Sequence, residues 1–150
     1  MARSTVKRQR RAPLLVGGDC VGLNGMCIAL EMLGVEYKLR FVCEKDASAQ
    51  AVLARNFQYD ILQPDVFTRD LNETPYVDLY TAGFPCVSYS SLGRGEGLQH
   101  EQGHVGLHCL MYISNHRPRC FLLENVKALT SQKFVDTFHL ILNYLKGIKD

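Results

Sequence analysis

Short apolar runs alternate with stretches of helical spacing along most of this 150-residue chain. Residues 14–18 read as a first strand, and residues 24–33 as a helix whose apolar positions recur three and four apart. Tyr37–Cys43 reads as a second strand. Asp46 is placed to cap a helix over 47–57, its side-chain oxygen accepting from free N–H groups of the first turn. Ile61-Leu62 and Asp65-Val66-Phe67 suggest a short third strand, and residues 77–82 a fourth. A long loop over 84–102 carries Gly93, Gly95 and Gly97. A helix over 103–116 follows, then a strand over 119–123 and a closing helix near 132–146, with Pro118 where one helix must end.

This alternation, with nearly continuous apolar strands, predicts an α/β fold: a mostly parallel sheet with helices on both faces. Ligands of such sheets bind beyond the carboxyl ends of the strands, near the point where the strand order reverses. Cys20, Glu44, Asp65, Cys86 and Glu124 all fall at or just past those ends. At this length the chain has room for one sizeable core and not for two.

Composition narrows the class. Hydrophobic residues make up 47% and charged residues 21%, as in a soluble globular protein, and no apolar run approaches the ~18 residues a membrane span needs. No apolar leader follows the N-terminus. The six cysteines contain no C-x-x-C pair and sit mostly in apolar segments, which favours a reducing compartment.

The net charge of +2 is unevenly distributed. Residues 1–13 carry Arg3, Lys7, Arg8, Arg10 and Arg11 and no acid, leaving 12 basic against 15 acidic residues elsewhere. Residues 1–13 therefore read as a basic, disordered tail that suggests a nuclear address, with cytoplasm otherwise. Residues 14–150 read as the folded part, which by itself is not a basic nucleic-acid-binding body.

The chemistry concentrates at two strand ends. Gly83-Phe84-Pro85-Cys86 presents a thiol on a turn stiffened by proline, and Leu123-Glu124-Asn125-Val126 ends the next strand in an acid. Gly17-Gly18-Asp19-Cys20-Val21-Gly22-Leu23-Asn24-Gly25 joins the first strand to the first helix. Its glycines permit close backbone approach, and the helix offers N–H groups to a ligand. Glu44 ends the second strand, where a carboxylate commonly accepts from ribose hydroxyls.

Taken in order, the glycine turn, Phe41-Val42-Cys43-Glu44-Lys45-Asp46, Pro64-Asp65-Val66, Gly83-Phe84-Pro85-Cys86-Val87-Ser88-Tyr89-Ser90 and Leu123-Glu124-Asn125-Val126 resemble the catalytic half of the C5-cytosine DNA methyltransferases. The resemblance runs from about Leu14 to Lys146. It implies a Rossmann-like methyltransferase fold lacking its last strands, with S-adenosyl-L-methionine as methyl donor. On it, Cys20, Val21, Gly22, Asn24 and Gly25 cradle the methionine end, Glu44 the ribose and Asp65 the adenine amino group. Pro85 and Val105 complete the cofactor site. Cys86 is the implied nucleophile and Glu124 its partner acid, with Phe84, Pro85, Ser90, Glu124 and Asn125 against the base.

The implied substrate is double-stranded DNA with a flipped cytosine, and residues 88–102 correspond to a mobile catalytic loop. No membrane partner is implied.

The chain departs from the family pattern at several points. Cys20 stands where Phe is usual, Asn24 where Gly is usual, Val87 where Gln commonly follows the nucleophile and Tyr89 where Phe is commoner. Glu101-Gln102-Gly103 replaces acid-Arg-Gly. The family's later strands and target-recognition domain have no counterpart before Asp150, so a fragment or an inactive remnant is expected.

A rival pattern, His100-Glu101-Gln102-Gly103-His104, matches H-E-x-x-H. A zinc peptidase needs both histidines on one helical face, whereas Gly103 near a helix start makes the pair straddle a loop–helix junction. Four readings remain, in this order: a methyltransferase segment acting on DNA, a catalytically inactive module with the same fold, a relative acting on RNA and, last, a zinc peptidase. Read from the residues alone, Asn24, His116 and His139 are structural, and Met26, Met32 and Met111 fall at core spacing.

Overall fold

Two glycines let the first strand pass through the centre of the sheet. In a computed structural model that describes residues 12–85 and 104–148, β1 spans Leu14–Asp19. A Cβ added at Gly17 would lie 2.6 Å from the Phe41 ring, and one at Gly18 2.5 Å from the Thr81 carbonyl oxygen. Neighbouring strands therefore close on β1 only because both positions lack a side chain.

The neighbours are β2 (Tyr37–Cys43) and β4 (Leu79–Gly83), both parallel to β1. Outside them lie β3 (Tyr59–Gln63) and β5 (Cys120–Glu124), giving the order β3-β2-β1-β4-β5 with every pairing parallel. The chain builds outward from β1 to β3, then crosses back to start β4 on the other side. The switch point therefore lies between β1 and β4, where the expected ligand crevice falls.

Helices cover both faces. α1 (Gly25–Met32) and α2 (Ala47–Asn56) contribute Cys27, Leu30 and Leu53 to one apolar cluster with Val16, Leu39 and Val42. α3 (Val105–His116) and α4 (Val135–Gly147) pack on the other face, where Phe41, Tyr80, Ala82, Cys109, Tyr112 and Ile113 form the larger cluster. Asp46 caps α2 as expected, accepting from the Ala49 N–H at 2.7 Å. At the base of the sheet Asp78 accepts from the Leu15 N–H through its carboxylate (3.0 Å) and from the Cys120 N–H through its carbonyl (2.9 Å), tying β1 to β5.

The expected elements exist, with shifts that have local causes. Residues 65–67 are not strand. The Phe67 N–H donates to Asp65 Oδ1 (3.0 Å) and the Thr68 N–H to the Asp65 carbonyl (3.3 Å), so the aspartate turns the chain as β3 ends at Gln63. The closing helix begins at Val135, after a 3-10 turn at Lys127–Thr130 and a bend that carries Phe134 into the core.

Two of the methionines also differ from expectation. Met26 packs against the first cluster, but Met32 is 84% and Met111 45% exposed. On α1 the buried stripe is Cys27 and Leu30, so the Ile28–Met32 pair, four apart, falls on the outer face.

Candidate active site at the carboxyl ends of the strands

The turn after β1 leaves the strand through Cys20, whose φ of 51° is unusual for a residue with a side chain, and passes Gly22 (φ 52°) to Asn24 (φ 59°) before α1 begins. This path exposes backbone N–H groups toward the end of β2. Glu44 meets them: its Oε2 accepts from the Gly22 N–H at 2.8 Å and its Oε1 from the Asp46 N–H at 2.9 Å. Each carboxylate oxygen keeps a second acceptor direction. A Cβ at Gly22 or Gly25 would meet nothing within 4 Å, so there is open space against the turn. Asn24 is 1% exposed, and neither side-chain polar atom has a hydrogen-bond partner.

Asp65 stands past the end of β3, its Oδ2 3.1 Å from Lys45 Nζ. Partial burial works against its charge, but the Phe67 N–H and Lys45 outweigh it and hold the carboxyl below its usual range. Cys20 goes the other way. Burial, with the Asp19 and Glu44 carboxylates close by, pushes its thiol up to about 12. Cys20 is therefore a protonated thiol at neutral pH.

Across the switch point, β4 ends at Gly83 beside β5. Gly83 pairs with Glu124 in register, and a Cβ at Gly83 would lie 3.5 Å from Glu124 Oε2 and 3.7 Å from the Cys20 carbonyl oxygen. The acid thus reaches over the start of the Gly83-Phe84-Pro85 turn. Asn125 fixes that turn from below, donating from Nδ2 to the Phe84 carbonyl at 3.1 Å. Its Oδ1 accepts from the Val126 N–H at 2.9 Å, so both ends of the amide are engaged within the protein. Phe84 is buried against Gly106 of α3, and Val105 is buried in the larger cluster. The sequence-derived residues Cys20, Val21, Gly22, Asn24, Gly25, Glu44, Asp65, Phe84, Pro85, Glu124 and Asn125 therefore belong to neighbouring strand ends and turns. Cys86, Ser90 and the loop 88–102 lie outside the described residues.

Beneath this rim is a cluster that the motifs did not reveal. Asp19 is fully buried and accepts from Arg69 Nη1 and from the Tyr80 hydroxyl (2.5 Å). Arg69 Nη2 donates to the His108 carbonyl at 3.2 Å, and the guanidinium lies 5.5 Å from the Tyr112 ring centre. Burial opposes the Arg69 charge, but Asp19 outweighs it and keeps the guanidinium protonated. Fifty residues separate the pair, and no local pattern announces it.

His104 immediately precedes α3, while His100 and Glu101 lie outside the described residues. Among the described residues no group of three or more His, Cys, Asp or Glu is placed to hold a metal ion. No helix among them is long and apolar enough to cross a membrane.

A family profile for C-5 cytosine-specific DNA methylase matches residues 20–149. The chain belongs to that family. It is 36% identical over 127 residues to the type II methyltransferase M.DsaV of Dactylococcopsis salina, covering 85% of this chain and 35% of that protein. It is 32% identical over 127 residues to M.NgoBI of Neisseria gonorrhoeae, covering 85% and 39%. Similarity to M.BsuFI of Bacillus subtilis is 37% over 84 residues, covering 56% and 20%. The chain thus spans about a third of the length of the first two relatives. For this C-5 methylase domain the Rossmann-like α/β reading holds, with the switch point where the strand-end residues converge.

Proposed function

We propose that this domain is the cofactor-binding and nucleophile-bearing part of a DNA cytosine-5 methyltransferase. The observation that carries the reading is the convergence at one crevice of the glycine turn, Glu44 and Asp65 with the Gly83–Glu124 step that leads into Cys86.

The open space at Gly22 and Gly25, the unpartnered Asn24 amide and the spare acceptor directions of Glu44 fit S-adenosyl-L-methionine. Residues 20–25 would hold its methionine end, Glu44 its ribose and Asp65 its adenine amino group, with Pro85 and Val105 beside them. Bound there, it supplies an electrophilic methyl group. The protein's task is to make carbon 5 of cytosine nucleophilic. The Cys86 thiolate adds to carbon 6, and Glu124 holds N3 and the 4-amino group as charge builds on the ring. After carbon 5 is methylated, a base removes its proton, the C5–C6 double bond re-forms and Cys86 leaves. The target must be flipped out of the duplex to reach these residues, with Ser90 on the substrate side and Phe84 and Asn125 shaping the turn that leads to the nucleophile.

A second reading, a methyltransferase-like module without catalysis, is favoured by Val87 after the nucleophile and by the uncovered flank of β5 and α4, where Phe121, Leu122, Leu140 and Tyr144 are exposed. Incubation of a full-length protein carrying this domain with S-adenosyl-L-methionine and duplex DNA containing 5-fluorocytosine separates the two, the 150 residues by themselves being expected to turn over weakly or not at all. A covalent adduct through Cys86, lost in Cys86→Ala, is expected for the enzyme. Cofactor binding without any adduct would leave the binding module.

A further inference from the structure

The Asp19–Arg69 pair has no role in the chemistry above, yet it is the most completely buried charge in the described structure, with side chains 0% and 1% exposed. Stability alone is a poor reason for it. Burying two charges costs several kcal/mol per ion, and apolar replacement of a whole buried pair is often neutral or stabilising. What the pair does is geometric. Asp19 ends β1 and is the residue before Cys20, at the root of the glycine turn. Arg69 lies four residues after Asp65, on the irregular stretch between β3 and β4. The fork of Arg69 joins that stretch to β1 through Asp19 and to α3 through the His108 carbonyl, while Tyr80 of β4 holds the second Asp19 oxygen. Phe67 closes the same corner, its ring edge-on to His108 at 4.8 Å.

On the β2 side this segment is held by the Glu44 N–H donating to the Gln63 carbonyl (3.1 Å), by Lys45 on Asp65 Oδ2 and by the burial of Val66 in the larger cluster. Its far end is fixed independently, by Gln63 Nε2 donating to Thr74 Oγ1 (2.7 Å) and Thr74 Oγ1 to the Asp70 carbonyl (2.8 Å). Between Gln63 and Asp70, the Arg69 fork is the polar contact among the described residues that reaches β1. A planar guanidinium with donors in a fixed geometry suits such a brace better than a flexible ammonium.

We propose that Arg69 and Asp19 are positioning residues for adenine recognition, setting the distance between the glycine turn and Asp65 and so the ability of the site to distinguish a 6-amino purine from a 6-oxo purine. The proposal rests on the reading of Asp65 as the adenine contact.

The test is calorimetric binding of S-adenosylhomocysteine and S-inosylhomocysteine to the full 150-residue chain, with thermal midpoints measured in parallel. The wild type is expected to prefer the adenosyl ligand by about tenfold, the worth of one good polar contact. In Asp19→Leu/Arg69→Leu, which leaves neither charge unpaired, the midpoint is expected to stay near wild type while the preference falls to about twofold or less. A native midpoint with the full preference retained would overturn the proposal, because a merely structural pair moves affinity for both ligands together. Should the double variant not fold, Tyr80→Phe removes only the hydroxyl that steadies Asp19. It is expected to lower the preference about threefold, and an unchanged preference overturns the proposal equally. A wild type that binds both ligands equally removes the adenine role of Asp65, and one that binds neither removes the cofactor reading itself. Either result takes this inference down, and the two are told apart by the wild-type isotherms alone.

Discussion

Beneath the glycine turn, at the centre of the sheet, the Asp19 and Arg69 side chains are shut away from water, with Tyr80 of β4 and His108 and Tyr112 of α3 against them. On the β5–α4 flank, by contrast, Phe121 is 39%, Leu122 61% and Leu140 51% exposed, and no residue of α4 is fully buried. The usual expectation, apolar inside and charged outside, is reversed at both places. At the centre the reversal is tolerated because each charge has a partner, and it fixes geometry. At the flank it leaves an apolar groove of about 390 Å³, walled by Phe84, Phe121, Leu123, Phe138 and Ile141, beside a strand edge that is unpaired among the described residues. A central device built for position and a flank left available for cover are different solutions within one small sheet.

Removing one member of the central pair tests that contrast most severely. Arg69→Met strands Asp19 as an unpaired buried charge, and a loss of about 3–5 kcal/mol in urea unfolding is expected. A loss no larger than that of an ordinary surface change would mean that the centre is not closed. Next in size is Gly18→Ala, where the new Cβ meets the Thr81 carbonyl oxygen of the adjacent strand. The backbone cannot swing aside as a side chain does, so about 1–3 kcal/mol should be lost, read from the same denaturation curves.

The third test uses pH. The Cys20 thiol is held by burial and by Asp19 and Glu44 up to about 12, against an ordinary value of 9.0. Above that ordinary value the unfolded chain releases the proton and the folded chain keeps it. Stability should therefore fall as pH rises from 9 toward 12, by about 1.4 kcal/mol per unit at most from this group. Burial raises the Cys27, Cys43 and Cys109 thiols in the same direction, so Cys20→Ala should make that limb shallower by its own share without flattening it, and an unchanged slope would assign the whole of it to the other thiols.

The smallest effect belongs to the flank. Leu122→Lys should change the free energy of unfolding by no more than about 0.5 kcal/mol while reducing any self-association seen in sedimentation. A large loss of stability there would show that the flank is part of the core after all.

Much of this arrangement was legible in the chain. Tyr37–Cys43 is a strand with the expected bounds, a short apolar run with Tyr37, Phe41 and Val42 between turn residues, and Asp46 is a cap for the reason its side chain suggests. The strand-end residues Glu44, Asp65 and Glu124 lie on the side of the sheet where parallel order requires them. Asp65-Val66-Phe67 misled, because the aspartate bonds its own backbone and turns apolar residues out of strand. Met32 misled for another reason: helical spacing identifies a stripe but not which of two stripes faces the sheet. Arg69 was invisible, since an ion pair spanning fifty residues exists only once β1 and the β3–β4 connection are side by side.

Asp78 has a further consequence, for the order in which the chain can be assembled. Strand β1 is central, yet only its β2 side is satisfied by nearby sequence; the N–H of Leu15 finds its acceptor on Asp78, 63 residues later. During synthesis from the N-terminus the first three strands can pair while the other edge of β1 stays open, and that edge closes only once residues 78–83 have emerged. The middle of the finished sheet is therefore its temporary border, and for that interval Gly18, later tight against Thr81, lines an exposed margin.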